Sequence, residues 1–200
     1  SLEDVLSVWQ GMGYNRRAIS LKKCAALVMR DYKGLLPADT DILAAFPGIG
    51  RATASSIGAF AFNMPVVFIE TNIRRVFIHF FFPHSSTVTD AEILPLVEQS
   101  LYYPDPRTWY WALMDLGSAL KKTVTNPNRR SAHYTKQSPF EGSDRKIRGI
   151  ILKTLLKEHY LEEGELCARF PEDRYRVVQI LRTLESEGFI QRKGSGYLLA

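Results

Sequence analysis

One glycine-rich segment has residue types that bind phosphate through the peptide backbone. In FPGIGRATA, residues 46–54, two glycines form a turn directly before a helix predicted to start at Arg51. Glycine permits a positive φ angle and lets the backbone approach a ligand closely. The N-terminus of the following helix directs free N–H groups and the positive end of its dipole outward, which suits a phosphate. By itself, however, a Gly-x-Gly turn is more often a structural connection between two helices.

The predicted phosphate contacts of this turn come from its backbone and from the first side chains of the helix. They are Pro47, Gly48, Ile49, Gly50, Arg51 and Thr53. Arg51 and Thr53 supply side-chain donors of the kind that contact DNA phosphates.

A second feature is a short stretch that carries the positive excess of the chain, whose formal net charge is +5. Residues 121–148 have eight Lys and Arg against two Asp and Glu, residues 1–120 have ten against eleven, and residues 149–200 have eight of each. A concentrated basic stretch is typical of a protein that binds a polyanion, most often nucleic acid. A solvated linker explains the same stretch equally well.

The elements that position these residues are predicted to be mainly helical. Apolar residues at helical spacing predict helices over 2–10, 15–33, 42–45, 90–102 and 107–120, with two more that begin at Arg51 and near Thr71. Residues 121–142 have no apolar periodicity and contain two prolines, which predicts a linker or an extended binding loop. We therefore expect a helical domain over residues 1–120.

The last segment, residues 143–200, has the pattern of a winged helix. Ser143 is predicted to cap a helix, two shorter helices follow near 162–169 and 173–187, and residues 189–199 form a hairpin that turns on Gly-Ser-Gly. Helix-turn-helix folds often bind DNA, and Tyr175, Gln179 and Arg182 share one face of the third helix. Packing against a protein is an equally good explanation of so small a domain.

Composition excludes several classes of protein. With 46% hydrophobic and 24% charged residues the chain has the profile of a globular protein, and no apolar run is long enough to cross a bilayer. Cys24 and Cys167 form neither a disulfide framework nor a metal site. No signal peptide is recognisable. We expect a monomer in the cytoplasm, associated with the nucleoid and not with a membrane.

The turn at residues 46–54 resembles the helix-hairpin-helix of the base-excision DNA glycosylases, in which the pattern is Leu-Pro-Gly-Val-Gly-Arg. Four more segments resemble family motifs and occur in the same order: GMGYNRRA at 11–18, FIETNIRRV at 68–76, MDLG at 114–117 and FEGSDRKIRG at 140–149. The resemblance covers nearly the whole chain and is strongest to the A/G-specific adenine glycosylases. It implies a mainly helical fold and a double-stranded DNA substrate with a mispaired or damaged base.

The resemblance also implies a mechanism. Such an enzyme extrudes a nucleotide from the duplex and breaks the N-glycosidic bond, and a fixed carboxylate stabilises the positive charge that develops on the sugar. Glu70 aligns with the catalytic carboxylate and Tyr14 with the aromatic wedge beside the partner base. Without the resemblance, Glu70 is better explained as a helix N-terminal residue favoured by the dipole, and Tyr14 equally well as a core residue.

Two departures from the family pattern change the expected chemistry. Ala52 stands where bifunctional relatives have a Schiff-base lysine, so we expect hydrolysis without a lyase step. The four cluster cysteines fall on Lys121, Asn128, Ser131 and Gln137, so no iron–sulfur cluster and no other cofactor is expected. As a hypothesis, plain charge replaces the DNA-backbone contacts of the cluster loop, from Lys121, Lys122, Arg129, Arg130 and Lys136.

Two further departures leave the function open. The family's catalytic position normally holds Asp, and the extra methylene of Glu70 moves the carboxylate. The preceding helical segment of the family, with the glutamate that protonates adenine, falls before Ser1, so we expect the N-terminal part of the family fold to be missing. The leading interpretation is a monofunctional adenine glycosylase. The alternatives are a DNA-binding or regulatory protein that has lost catalysis, and a uracil or thymine mismatch glycosylase.

Overall fold

The computed structural model describes residues 1–200, which form ten helices and three strands. In chain order the helices are α1 Leu2–Trp9, α2 Arg16–Asp31, α3 Thr40–Ala44, α4 Arg51–Phe62, α5 Thr71–Phe81, α6 Asp90–Ser100, α7 Pro106–Thr123, α8 Asp144–Glu158, α9 Glu163–Ala168 and α10 Arg174–Ser186. The strands are β1 Leu161–Glu162, β2 Ile190–Lys193 and β3 Gly196–Leu199. The predicted mainly helical fold class is therefore confirmed.

The chain folds into two compact units. The central unit comprises residues 34–136, and the split unit comprises residues 1–33 together with 137–200. This division corrects the predicted domain boundaries, because the first two helices belong with the C-terminal residues and not with residues 34–120. Packing explains the difference, since Leu2 and Leu6 of α1 lie in the same apolar core as Ile151 of α8.

The core of the central unit surrounds α5. Ile73 and Ile78 are fully buried, and Phe77 is nearly so. The helix begins with a glutamate cap at Glu70 and packs against α6 and α7. Because α5 is buried along most of its length, its N-terminus has a fixed position in this unit.

The predicted linker over residues 121–142 is largely ordered, which corrects the second boundary. α7 continues to Thr123, Pro127–Arg130 form a 3-10 turn, and Ser131 forms a parallel β-bridge with Val88. Residues up to Lys136 belong to the central unit and those from Gln137 to the split unit. The sequence shows no periodicity here because hydrogen bonds to α5, not an apolar face, anchor the segment.

The split unit contains the predicted winged helix, with one additional strand. β1, β3 and β2 form an antiparallel sheet in that order. Its hairpin turns at Gly194, whose φ is +59°, and Gly196 passes so close to Leu161 that a Cβ there would lie 2.3 Å from the carbonyl oxygen. Ser143 caps α8 as predicted. None of the helices is both long and apolar enough to span a membrane.

Candidate active site and DNA-binding hairpin

The predicted hairpin connects α3 to α4 and is exposed at its tip. Phe46 is buried and accepts a hydrogen bond from Ile49 N at 3.0 Å, which closes the turn. Gly48 has a φ of +74°, a conformation that only glycine adopts without strain. The buried Phe46 fixes the turn from below while Gly48 and Gly50 remain exposed.

The N-terminus of α4 lacks a side-chain cap. Gly50 occupies the N-cap position in extended conformation, and no side chain accepts from the first N–H groups of the helix. Arg51, Ala52 and Thr53 are exposed. A Cβ added at Gly50 would meet no atom within 4 Å. The arrangement leaves open space in front of uncapped backbone donors beside an arginine, which is the geometry that binds an anion.

Glu70 lies at the N-terminus of α5 and is half-buried. Its Oε1 accepts hydrogen bonds from Asn72 N at 2.5 Å and Ile73 N at 3.3 Å. The other carboxylate oxygen makes no hydrogen bond. The side chain therefore has the capping role that its position alone suggested, and it keeps one oxygen available for chemistry.

The extended segment before Glu70 is held by a tyrosine of α7. The hydroxyl of Tyr110 donates to Val66 O at 2.8 Å and accepts from Phe68 N at 3.4 Å. Tyr110 is fully buried, and this burial raises its pKa to about 12. A neutral phenol can donate one hydrogen bond while it accepts another, as Tyr110 does here.

A buried arginine joins the first turn of α5 to α7. Arg75 Nη1 donates to Asn72 Oδ1 at 2.6 Å and to Gly117 O at 2.5 Å. Burial lowers the pKa of this guanidinium, while the nearby charge of Glu70 acts in the opposite direction. A Cβ at Gly117 would lie 2.4 Å from Asn72 O. The MDLG motif thus contacts the segment that carries Glu70, and its glycine permits the close approach.

A strap of residues 126–132 runs beside α5 and is attached to its N-terminal end. Asn126 Oδ1 accepts from Arg75 Nε at 3.2 Å. Asn128 is buried, and its Nδ2 donates to Thr71 O at 2.8 Å, one residue after Glu70. These bonds fix the backbone that carries the candidate catalytic carboxylate.

The strap is also attached to the C-terminal end of α5, through Arg130. Its guanidinium donates to the carbonyl oxygens of Ile78 at 3.2 Å and Ser85 at 3.1 Å, and to that of Phe82. A cation at these carbonyls is favoured by the helix dipole. Because Arg130 is half-buried and occupied in this way, it is better explained as a cap than as a contact to the DNA backbone. The other four predicted backbone contacts are exposed: Lys121, Lys122, Arg129 and Lys136.

The four positions at which the family has cluster cysteines do not fit an iron–sulfur cluster. Lys121, Asn128, Ser131 and Gln137 offer an ammonium, two amides and a hydroxyl, whereas these clusters require thiolates or imidazoles. Asn128 is committed to Thr71, and Ser131 Oγ accepts from His133 N at 3.1 Å. Two of the four positions therefore belong to the strap.

Tyr14 lies in the split unit and presents its ring to solvent. The side chain is 66% exposed, and the residue has a φ of +51°, which is rare for a bulky residue. Gln137 Nε2 donates to its hydroxyl at 2.9 Å, and the Arg17 guanidinium lies 5.1 Å from the ring centre. An exposed ring in a fixed orientation suits stacking, and the core explanation of Tyr14 is wrong.

Sequence reasoning missed the residues that position Glu70, namely Tyr110, Arg75, Asn126 and Asn128. One signal was present, since Tyr110 and Gly117 are seven residues apart and so lie on the same face of a helix. The strap offered no such signal, because its asparagines bond to residues more than fifty positions away.

The comparison with known proteins agrees with this geometry. The chain is 28% identical to adenine DNA glycosylase of Mycobacterium tuberculosis (strain CDC 1551 / Oshkosh), over 98% of this chain and 71% of that protein. It is 31% identical to adenine DNA glycosylase of Mycolicibacterium smegmatis, over 76% of this chain and 57% of that protein. Endonuclease III of Bacillus subtilis is 35% identical over 32% of this chain and 29% of its own. No protein-family model matches the sequence.

These similarities support placement of the chain in the helix-hairpin-helix superfamily of DNA glycosylases. The predicted resemblance is thereby confirmed, and with it the assignment to enzymes of base-excision repair. The alignment with the mycobacterial relative covers almost the whole chain, so the family assignment includes both the central unit and the split unit.

Proposed function

We propose that this chain is a monofunctional DNA glycosylase that removes adenine mispaired with 8-oxoguanine or guanine. The observation that carries the proposal is the carboxylate of Glu70, fixed at the N-terminus of α5 with one oxygen bonded to the helix and one without a partner. Relatives named adenine DNA glycosylase support the choice of base. The reaction leaves an abasic site in the DNA.

In this proposal, the carboxylate of Glu70 acts through its negative charge. Cleavage of the N-glycosidic bond builds positive charge on the sugar, and a carboxylate held nearby stabilises that charge or orients the attacking water. Preorganisation matters because a carboxylate that must move into place loses much of its effect. The hydrogen bonds to Asn72 and Ile73, and the attachment of Thr71 to the strap, supply this preorganisation.

The DNA is held by three sets of groups. The exposed hairpin and the uncapped N-terminus of α4 bind a phosphate, with Arg51 and Thr53 as side-chain donors. Lys121, Lys122, Arg129 and Lys136 contribute charge to the DNA backbone. Tyr14 is the wedge that stacks beside the partner of the extruded base.

The proposed reaction involves neither a cofactor nor a lyase step. The enzyme works as a monomer on nucleoid DNA and without an iron–sulfur cluster, since the residues at the cluster positions provide no suitable ligands. Ala52 has no amine to form a Schiff base, so strand cleavage does not follow excision.

The test is an excision assay on labelled duplexes with A opposite 8-oxoguanine, A opposite G, and T or U opposite G. We expect strand breaks at adenine only after alkali, and a fall of at least a hundredfold in the single-turnover rate for Glu70→Gln. The glutamine keeps an oxygen that can accept from Asn72 N, so folding and DNA binding are expected to survive. Excision at the same rate by Glu70→Gln contradicts the assignment of Glu70, and breaks without alkali contradict the monofunctional mechanism.

One observation favours a second candidate, a DNA-binding protein that has lost catalysis. Glu70 replaces the aspartate of the family, and its carboxylate already has a structural role as the cap of α5. In this case no duplex is cleaved, while binding to duplex DNA remains sensitive to salt. Excision confined to T or U opposite G would instead reassign the target base.

A further inference from the structure

A basic and aromatic cleft lies within the split unit, beside Tyr14. Its volume is about 730 Å³, and it is lined by the turn around Tyr14, by residues near Phe140, and by α8 and α10. This volume falls in the range of about 300–1,000 Å³ that is typical of sites for small organic ligands. The cleft is independent of the hairpin and of Glu70, which belong to the central unit.

The charge of the cleft is positive because two of its arginines lack a carboxylate partner. Arg16 and Arg148 both bind Glu187, and together they hold the pKa of that carboxyl below its ordinary value although burial acts to raise it. Arg17 and Arg145 form no ion pair. They leave two uncompensated charges in the cleft, which suits an anionic ligand.

Aromatic rings lie beside these charges. Phe140 is 58% exposed and Tyr14 is 66% exposed. Arg145 Nη2 donates to Ser138 O at 2.6 Å and Pro139 O at 3.3 Å, which fixes the segment that carries Phe140. The other nitrogens of Arg145 make no hydrogen bond and remain available.

The orientation of Tyr14 is maintained at a cost in backbone energy. A left-handed conformation is unfavourable for a tyrosine, and such conformations persist where the surroundings fix them, often at binding sites. Here the hydrogen bond from Gln137 and the contact with Arg17 fix the ring at the edge of the cleft. Stacking surfaces and unpaired guanidinium groups together match the two parts of a nucleotide, its base and its phosphate.

We propose that this cleft binds an unpaired nucleotide of DNA, with the base stacked on Phe140 and the phosphate contacted by Arg17 and Arg145. The inference rests on the proposed function in that it adds a second contact with the same substrate. It assigns the winged helix a role in DNA binding through α8, because Arg145 belongs to that helix.

The test measures binding of the whole chain to a fluorescein-labelled oligomer of twelve thymidines, by anisotropy over a range of salt concentrations. This probe has no adenine and no duplex, so the outcome does not depend on excision. We expect Phe140→Ala to weaken binding at least fivefold, as loss of one stacked base does. Arg145→Gln and Arg17→Gln are each expected to lower the slope of log affinity against log salt by about 0.7.

Two substitutions serve as matched controls. Tyr103→Ala removes a ring that is 58% exposed and belongs to the central unit. Lys157→Gln removes a charge on α8, which at 1.5 Å per residue lies about 18 Å along the helix from Arg145. Neither is expected to change binding.

The cleft is not a nucleotide site if the parent chain fails to bind the oligomer, or if Phe140→Ala and the two arginine variants bind like the parent. Equal losses in the control variants would also overturn the proposal, because they indicate diffuse charge attraction. Arg17→Gln guards against misfolding, since the side chain of Arg17 makes no hydrogen bond and no ion pair, and its contacts are with the rings of Trp9 and Tyr14. Binding of the oligomer with this pattern, but without excision from the duplexes, contradicts only the proposed function. Excision without binding of the oligomer contradicts only the assignment of the cleft as a nucleotide site.

Discussion

The N-termini of α4 and α5 lie in the same unit and are built in opposite ways. At α4 the cap is a glycine, no side chain accepts from the helix, and the first residues are exposed. At α5 the cap is Glu70, and hydrogen bonds from Asn128 and Arg75 attach the first turn to neighbouring segments. Both ends have the same positive dipole, so the residues around them decide what each end can do.

The contrast separates binding from catalysis. An uncapped N-terminus in open space can accept a phosphate, because its donors have no competing partner. A closed one places a carboxylate in a fixed position, because the cap and the strap restrict its backbone.

The largest effect is expected at the capped N-terminus of α5, from Gly117→Ala. The new Cβ would meet the backbone of Asn72 at 2.4–2.8 Å, so α5 or α7 must shift, at a cost of about 1–3 kcal/mol. Thermal and urea unfolding measure this loss. Gly149→Ala is the matched control, since Gly149 also lies inside a helix but with no atom within 4 Å, and there we expect a gain of about 0.5–1 kcal/mol. Equal stability changes in the two variants would show that the close approach is unimportant.

The next effect is expected from Asn128→Ala, which detaches the strap from Thr71. The carbonyl of Thr71 loses its donor, and we expect a loss of about 1–2 kcal/mol in the free energy of unfolding. We also expect slower single-turnover excision at saturating enzyme, with DNA affinity unchanged, because the backbone of Glu70 is less restricted. Thr125→Ala is the control beside the strap, since that side chain is exposed and has no part in the proposed DNA contacts. A lower affinity without a lower rate would argue against a positioning role.

A smaller effect is expected at the uncapped N-terminus of α4, from Gly50→Ala. Its φ of −90° is allowed for alanine and the added Cβ meets nothing, so stability is expected to stay within about 0.5 kcal/mol of the parent. The Cβ intrudes where the backbone approaches a phosphate, and we expect several-fold weaker binding to duplex DNA. Gly48 is not a suitable position for this test, because its φ of +74° strains any replacement. Unchanged affinity in Gly50→Ala would remove the hairpin from the interface.

The smallest effect concerns pH and the pair that joins α5 to α6. Arg74 binds Asp90 through two hydrogen bonds of 2.7 Å, and this contact holds the pKa of Asp90 below its ordinary 3.8. The lowered pKa means that the stabilisation is complete above pH 3.8 and is lost as pH falls through the folded-state value. We expect Asp90→Asn to cost about 0.5–1 kcal/mol near neutral pH, and the difference from the parent to disappear in acid.

Urea unfolding at several pH values tests this last prediction. Asp31→Asn is the control, because the pair of Asp31 with Arg30 is more exposed than that of Asp90 with Arg74. Its effect is expected to be smaller at every pH. A difference between parent and Asp90→Asn that stays constant as the pH is lowered through the acid range would contradict an electrostatic origin.

The sequence predicted the helices and the motifs well, because both depend on local chemistry. The spacing of apolar residues, the cap at Ser143 and the turn at Gly194 all act within a few residues. The same holds for the exposed hairpin. The wedge position of Tyr14 came only from the family resemblance, and its exposure became known from the structure.

Domain boundaries could not be predicted in this way. The first helices and the winged helix are separated by more than a hundred residues, and only packing shows that they share a core. The basic stretch misled for a similar reason. Its charge predicted contact with DNA, but the guanidinium of Arg130 donates hydrogen bonds to carbonyl oxygens at the C-terminal end of α5.

By itself, the sequence determined the class of this protein, its helices, the hairpin and Glu70 as the residue that aligns with the catalytic position of the family. The tertiary structure decided which groups hold Glu70 in place, why Gly117 permits α7 to approach α5, and that arginines and aromatic rings form a cleft beside Tyr14. The physical reason is range. Helix periodicity and capping act between neighbours in the chain, whereas burial and hydrogen bonding join residues whose separation in sequence carries no signal.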